Sequence, residues 1–202
     1  QLILSYMTRF QKSDPERLVH WYELYNDPQW KTSVASMVAA AYFRRSPAEA
    51  LGWINANLES KLRDQTMYLM TKHLRDTDPL EFIEWATRIE EPKMYKSALK
   101  EGIRRLIHKS PNKAAYWIEE YPNGPERDGL IIQLAFIMKR RDPSKAIEWS
   151  QRIENPSSRA RSTSLVAHKW IQVDREGFLE WYRQAELNQA ERYILERMVK
   201  KD

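Results

Sequence analysis

A row of cations recurs in this chain at one spacing. Lys31, Arg63, Arg127 and Arg159 share a single position in a 32-residue register, and Tyr95 and Glu191 stand at the two places that break the row. Ammonium and guanidinium groups repeated in this way could donate hydrogen bonds to carboxylates or phosphates, so these four residues are the candidate partner-binding residues. A second row, of indoles, runs through Trp21, Trp53, Trp85, Trp117, Trp149 and Trp181, each 32 residues after the last. Flat aromatic faces at fixed spacing could stack on bases or sugars.

Reaction chemistry is harder to place. His20, His73, His108 and His168 do not share a repeat position and have no carboxylates at ligand spacing beside them, so no metal site is expected. The chain has no cysteine, which excludes disulfides, thiolate catalysis and cysteine-held zinc. No glycine-rich phosphate loop, nucleophile elbow or His-Glu-x-x-His pattern occurs, and the Glu90-Glu91 pair falls in a turn rather than in a buried dyad. The chain is therefore expected not to be an enzyme and to need no cofactor.

The elements that would position these rows follow from the same period. Six residues before each of the first five ladder indoles stands a proline, Pro15, Pro47, Pro79, Pro111 and Pro143, with Arg175 in the sixth place. Asp14, Ser46, Asp78, Ser110, Asp142 and Asp174 come immediately before them. An Asp or Ser side chain accepts a bond from an unpaired N–H of the first helical turn, and proline fits the first helical position because its missing N–H is not needed there. Each pair thus starts a helix, here helix A, and Ser46 with Glu49 and Asp78 with Glu81 have capping-box spacing or nearly so. Within helix A, apolar residues recur four, seven, eight and eleven after the cap, as in Phe82, Trp85, Ala86 and Ile89, and a further one sits five after it. These cover roughly 160° of the helix, enough to pack against two neighbours, so helix A is expected to be the inner element.

Turns then fall near Asp27-Pro28, Glu59-Ser60, Glu91-Pro92, Asn123-Gly124, Asn155-Pro156 and Leu187-Asn188. Helix B follows each turn with a narrower stripe, such as Leu130, Leu134 and Met138, and is expected to face solvent along much of its length. Residues 1–13 fit the second helix of a preceding repeat through Ile3, Tyr6 and Phe10, so the chain reads as a piece of a longer protein. The whole is expected to be one all-α domain, an α-solenoid over residues 1–202 with repeats starting at 14, 46, 78, 110, 142 and 174 and about 13 helices. Repeats three and five are the most alike, sharing nine of the 17 residues that begin at Asp78 and at Asp142. Asp-Pro and Ser-Pro starts alternate through the first five repeats, which suggests duplication of a two-repeat unit.

In this frame both rows have a structural reading beside the functional one. The indoles lie mid-stripe and are expected to be core fillers. The cation position shares a helix face with core residues seven and eleven further on, so an arginine stem could pack inward while its head bonds the carbonyls that end helix A. Charge also segregates by edge, with acids at the A-to-B turns (Asp27, Glu59, Glu90, Glu91, Glu119, Glu120, Glu154) and bases at the B-to-A turns. Each sign suits the helix dipoles it meets.

Composition agrees with this reading. Apolar residues make up 42% of the chain and charged residues 30%, with 5 glycines, eight tryptophans and a mean hydropathy of -0.73, which favours a soluble helical fold. Lys and Arg number 33 against 28 acids, a formal charge of +5, which permits an anionic partner without the dense basic face of most nucleic-acid binders. No apolar run approaches the roughly 18 residues of a membrane span, and the start lacks the pattern of a secretory signal.

Tandem antiparallel helix pairs, each opened by a proline with an aromatic residue six further on, resemble tetratricopeptide repeats over essentially the whole chain. The resemblance implies a right-handed superhelix whose concave surface binds a peptide or protein, and it implies no catalytic residues. The expected function is accordingly a non-catalytic scaffold or adaptor for a protein or peptide partner, acidic where the arginines engage it. The alternatives are an RNA-binding helical-repeat protein, with basic or amide groups at one exposed position per repeat, and the non-catalytic arm of a larger enzyme.

Overall fold

The computed structural model describes residues 14–24, 27–74 and 77–200, and among these it contains twelve α-helices and no strand. The helix expected within residues 1–13 lies outside the described residues. In chain order the A and B helices alternate. They are α1 (Pro15–Leu24), α2 (Pro28–Arg45), α3 (Pro47–Asn57), α4 (Ser60–Met70), α5 (Pro79–Ala86), α6 (Pro92–Lys109), α7 (Pro111–Glu119), α8 (Pro125–Met138), α9 (Pro143–Gln151), α10 (Pro156–Val173), α11 (Arg175–Gln184) and α12 (Gln189–Val199). A short 3₁₀ turn, Thr71–His73, extends α4. Every A helix begins at the residue the proline ladder marks, and Arg175 opens the sixth without a proline.

The caps form as the side chains require, with one exception. Asp14 accepts from Arg17 N, Ser46 from Ala48 N, Asp78 from Leu80 N, Asp142 from Lys145 N and Asp174 from Gly177 N, at 2.9–3.2 Å. Ser110 makes no side-chain cap bond. Ser46 and Asp78 bond the amide two residues on, so the reciprocal boxes suggested by Glu49 and Glu81 are not completed there. The completed box is at the start of α12, where Asn188 and Glu191 each accept the other's backbone N–H. Gly124, at φ 130°, begins α8 in a backbone region that a side chain would resist.

The chain divides into two compact units, Gln1–Gly102 and Ile103–Asp202. In the first, α2 packs on α1, on α3 and on α4. In the second, α8 packs on α7, α9 and α10, and α10 packs on α9, α11 and α12. The B helices α2, α8 and α10 each touch their own helix A, the next helix A and the next helix B. This corrects the expected roles, in which A was inner and B lay largely in water. Length accounts for the difference: α2, α6 and α10 run 18 residues, whereas A helices run 8 to 11 and have less surface to offer.

The A-helix stripe is buried to different depths in different repeats. The residue four after each cap (Leu18, Ala50, Phe82, Ala114, Ala146, Phe178) is fully buried throughout. Only repeats three and five also bury the fifth and seventh, Ile83 with Trp85 and Ile147 with Trp149. Trp21, Trp53, Trp117 and Trp181 are half-buried, and none of the six ladder indoles is exposed. Trp85 meets Phe43 edge-on at 4.9 Å, while Tyr22 meets Trp53 edge-on at 5.3 Å.

Candidate functional site

The cation row is engaged within the fold. Arg127 Nε donates to Ile118 O at 2.9 Å at the end of α7, and Arg159 Nη1 donates to Ile153 O at 2.9 Å just past α9. Arg63 Nη2 donates to Arg88 O at 3.3 Å and to Glu90 Oε1 at 2.6 Å, past the end of α5. Lys31 lies over the Tyr22 ring at 5.0 Å. Carbonyls at a helix C-terminus lack amide partners and carry the negative end of the dipole, so a guanidinium is a suitable terminator. The inward arrangement that the sequence allowed is the one adopted by Arg63, Arg127 and Arg159, and an external carboxylate or phosphate would compete with these bonds.

Beside two of these arginines stands an acid whose role the sequence did not disclose. Asp128 is buried, and its two oxygens accept from Glu154 N at 2.9 Å and Asn155 N at 3.0 Å. Asp64, also buried, accepts from Glu91 N at 2.7 Å. Each carboxylate thus grips the A-to-B turn of the following repeat. In the last pair of repeats Glu191 is buried, accepting from Gln151 Nε2 at 3.1 Å and lying 3.5 Å from Arg159 Nε. Ser150, Ser162 and Thr163 complete a buried polar cluster with it through Ser150 Oγ···Ser162 Oγ and Gln151 Nε2–Thr163 Oγ1 bonds, both 2.8 Å. These groups hold the stack together.

A groove lies between two of the B helices. In the second unit, Arg104, Arg105 and His108 on α6 and Ile132, Gln133, Phe136 and Ile137 on α8 line a groove of about 560 Å³. Phe136 is 54% exposed. Ile137 also lines a second hollow of about 290 Å³ with Lys109, Arg141 and Lys145, which extends the feature to the B-to-A turns. Lys139 Nζ sits 3.6 Å from the Phe136 ring centroid. Burial, with Arg140 and Lys169 nearby, holds the Lys139 ammonium below the usual lysine range.

These groove residues were not singled out from the sequence, although a signal was present. In α8 the core stripe is Leu130, Ile131, Leu134, Ala135 and Met138, and Phe136 falls outside it among Lys139, Arg140 and Arg141. Among the described residues no cluster of three or more His, Asp and Glu could hold a metal, and no helix is long and apolar enough to cross a membrane.

The fold and surface together define an all-helical protein of packed antiparallel helix pairs with a polar-rimmed apolar groove. Comparison with protein-family models, with curated proteins and with solved structures gave no match.

Proposed function

We propose that this chain is a non-catalytic helical-repeat scaffold, tetratricopeptide-like in design with a period of 32 residues, that holds a protein or peptide partner. The observation that carries the reading is the groove between residues 104–108 of α6 and α8 in the second unit. There Ile132, Phe136 and Ile137 line a groove together with Arg104, Arg105 and His108, and Phe136 is more than half exposed. Isolated exposed apolar residues are ordinary, but apolar residues lining a groove with a charged rim are the anatomy of a protein interface. Nucleic-acid binding predicts a cation directed outward at one position in every repeat, and the row that came nearest to this turns its guanidinium groups onto helix ends.

Affinity capture with the chain from extracts of its source organism, with and without nuclease treatment, tests the reading. One discrete protein retained at a fixed ratio after nuclease digestion is the expected result. Retention only while nucleic acid is intact would replace it with the nucleic-acid alternative. Charge reversal at Arg127 and Arg159 is expected to lower the melting temperature. If it removed the partner and left the melting temperature unchanged, the cation row would be the binding site instead.

A further inference from the structure

The groove between α6 and α8 has a chemistry that selects among protein partners. The groove lining carries Arg104, Arg105 and His108 and no acid, and Asp142, in the adjoining hollow, caps α9 and lies 3.1 Å from Lys145. The groove floor is apolar, built of Ile132, Phe136 and Ile137, and it runs between two helices. Phe136, on that floor, is more than half exposed, so the groove is open to solvent there. An open groove would leave a small ligand largely wet, whereas small-molecule sites bury most of their ligand. A helix laid into a groove buries one stripe and keeps its flanks at the rim.

We infer that the α6–α8 groove is a docking site for an acidic amphipathic helix of a partner protein, with an apolar stripe against Ile132, Phe136 and Ile137 and flanking carboxylates toward Arg104, Arg105 and Lys139. The inference rests on the scaffold reading and narrows it to one surface and one partner chemistry. Lys139, whose Nζ lies 3.6 Å from the Phe136 ring centroid, is the cation such a carboxylate would meet beside the floor.

The test is fluorescence anisotropy with the 202-residue chain and a labelled synthetic peptide bearing leucines at helical spacing on one face and glutamates on its flanks. Three further probes are the same residues in an order that scatters the leucines, a version with lysine for every glutamate, and a short single-stranded oligouridylate. The ordered acidic peptide is expected to bind about tenfold or more tighter than each of the others, a difference of about 1.4 kcal/mol. Phe136→Asp and Arg105→Glu should each weaken it about tenfold, as truncation of a central anchor does. Lys61→Glu, an equal charge change in the first unit, should alter it less than about twofold, since an exposed lysine away from an interface contributes little. Melting temperatures of all three variants are to be measured alongside, and Phe136 and Lys61 are exposed enough that a change there should leave the fold intact.

Equal binding of the scattered or the lysine peptide would overturn the proposal, as would binding insensitive to Phe136→Asp. Tighter binding of the oligouridylate through the same residues would assign the groove to nucleic acid. If the acidic peptide fails to bind while a captured protein partner is retained by Phe136→Asp, the groove assignment falls and the scaffold reading stands. If capture also yields no protein, both fall.

Discussion

At the scale of single residues, side chains in equivalent places do different work. The indole ladder is the plainest periodic signal in the chain, yet Trp85 is 2% exposed while Trp117 is only half-buried. The neighbouring helix decides this: Trp85 reaches Phe43 and donates its Nε1–H toward Met67 O at 3.5 Å, whereas the ring near Trp117 is the exposed Tyr116 beside it in sequence. Trp85→Ala should therefore lower the unfolding free energy by about 3–5 kcal/mol, and Trp117→Ala by about 1–2 kcal/mol, in urea titrations followed by circular dichroism. Equal losses would mean that the two rings are equally buried in solution. The sequence made the ladder visible because spacing is a property of the chain, but depth of burial depends on how the surrounding helices close over each ring: Trp53 meets Tyr22 and Tyr42 and is still only half-buried. For the same reason the arginines could be placed on a face from sequence, while their choice between a carbonyl and a partner could not.

At the scale of elements, the starts of helices were the most legible feature, since an Asp-Pro or Ser-Pro pair acts on its own first turn and needs nothing from elsewhere. All five predicted prolines open a helix, and so does Arg175, whose Nη2 donates to Val199 O at 3.3 Å. Cap chemistry is less uniform than its residues suggest. Asp78 holds Leu80 N at 2.9 Å, but Ser110 bonds no amide of its helix through its side chain. Asp78→Ala is thus expected to lower stability by about 1 kcal/mol, and Ser110→Ala to change it by less than about 0.5 kcal/mol, by thermal and chemical unfolding. A matching loss at Ser110 would show that its cap bond forms in solution. The relation between helices was the part that sequence misjudged. A wide apolar stripe on helix A pointed to an inner position, but a stripe counts angles and not length, and the longer B helices take the additional contacts.

At the scale of the whole molecule, the alternation of Asp-Pro and Ser-Pro repeats gains a physical meaning from the buried acids. Ser-Pro repeats two and four carry Arg-Asp at 63–64 and 127–128 near the start of helix B. Each Asp bonds the turn of the Asp-Pro repeat that follows, at Glu91 and at Glu154 with Asn155. Those turns are the segments Arg88-Ile89-Glu90-Glu91-Pro92 and Arg152-Ile153-Glu154-Asn155-Pro156, where repeats three and five are alike. A buried aspartate therefore joins repeat two to three and repeat four to five, one such joint inside each compact unit, and Glu191 adds a carboxylate contact between repeats five and six. Repeat proteins are stabilised by terms between nearest neighbours, so removing one joint should act locally. Asp128→Ala takes the acceptor from two backbone amides and should cost about 2–3 kcal/mol. In native-state hydrogen exchange the amides of Glu154 and Asn155 should lose protection while that of Glu91 keeps it, and Asp64→Ala should give the reverse. The two sites share no partner, so the double variant is expected to lose the sum of the single losses to within about 0.5 kcal/mol. Loss of protection at Glu91 in Asp128→Ala would contradict the pairwise scheme, because it would require the stack to open as one piece.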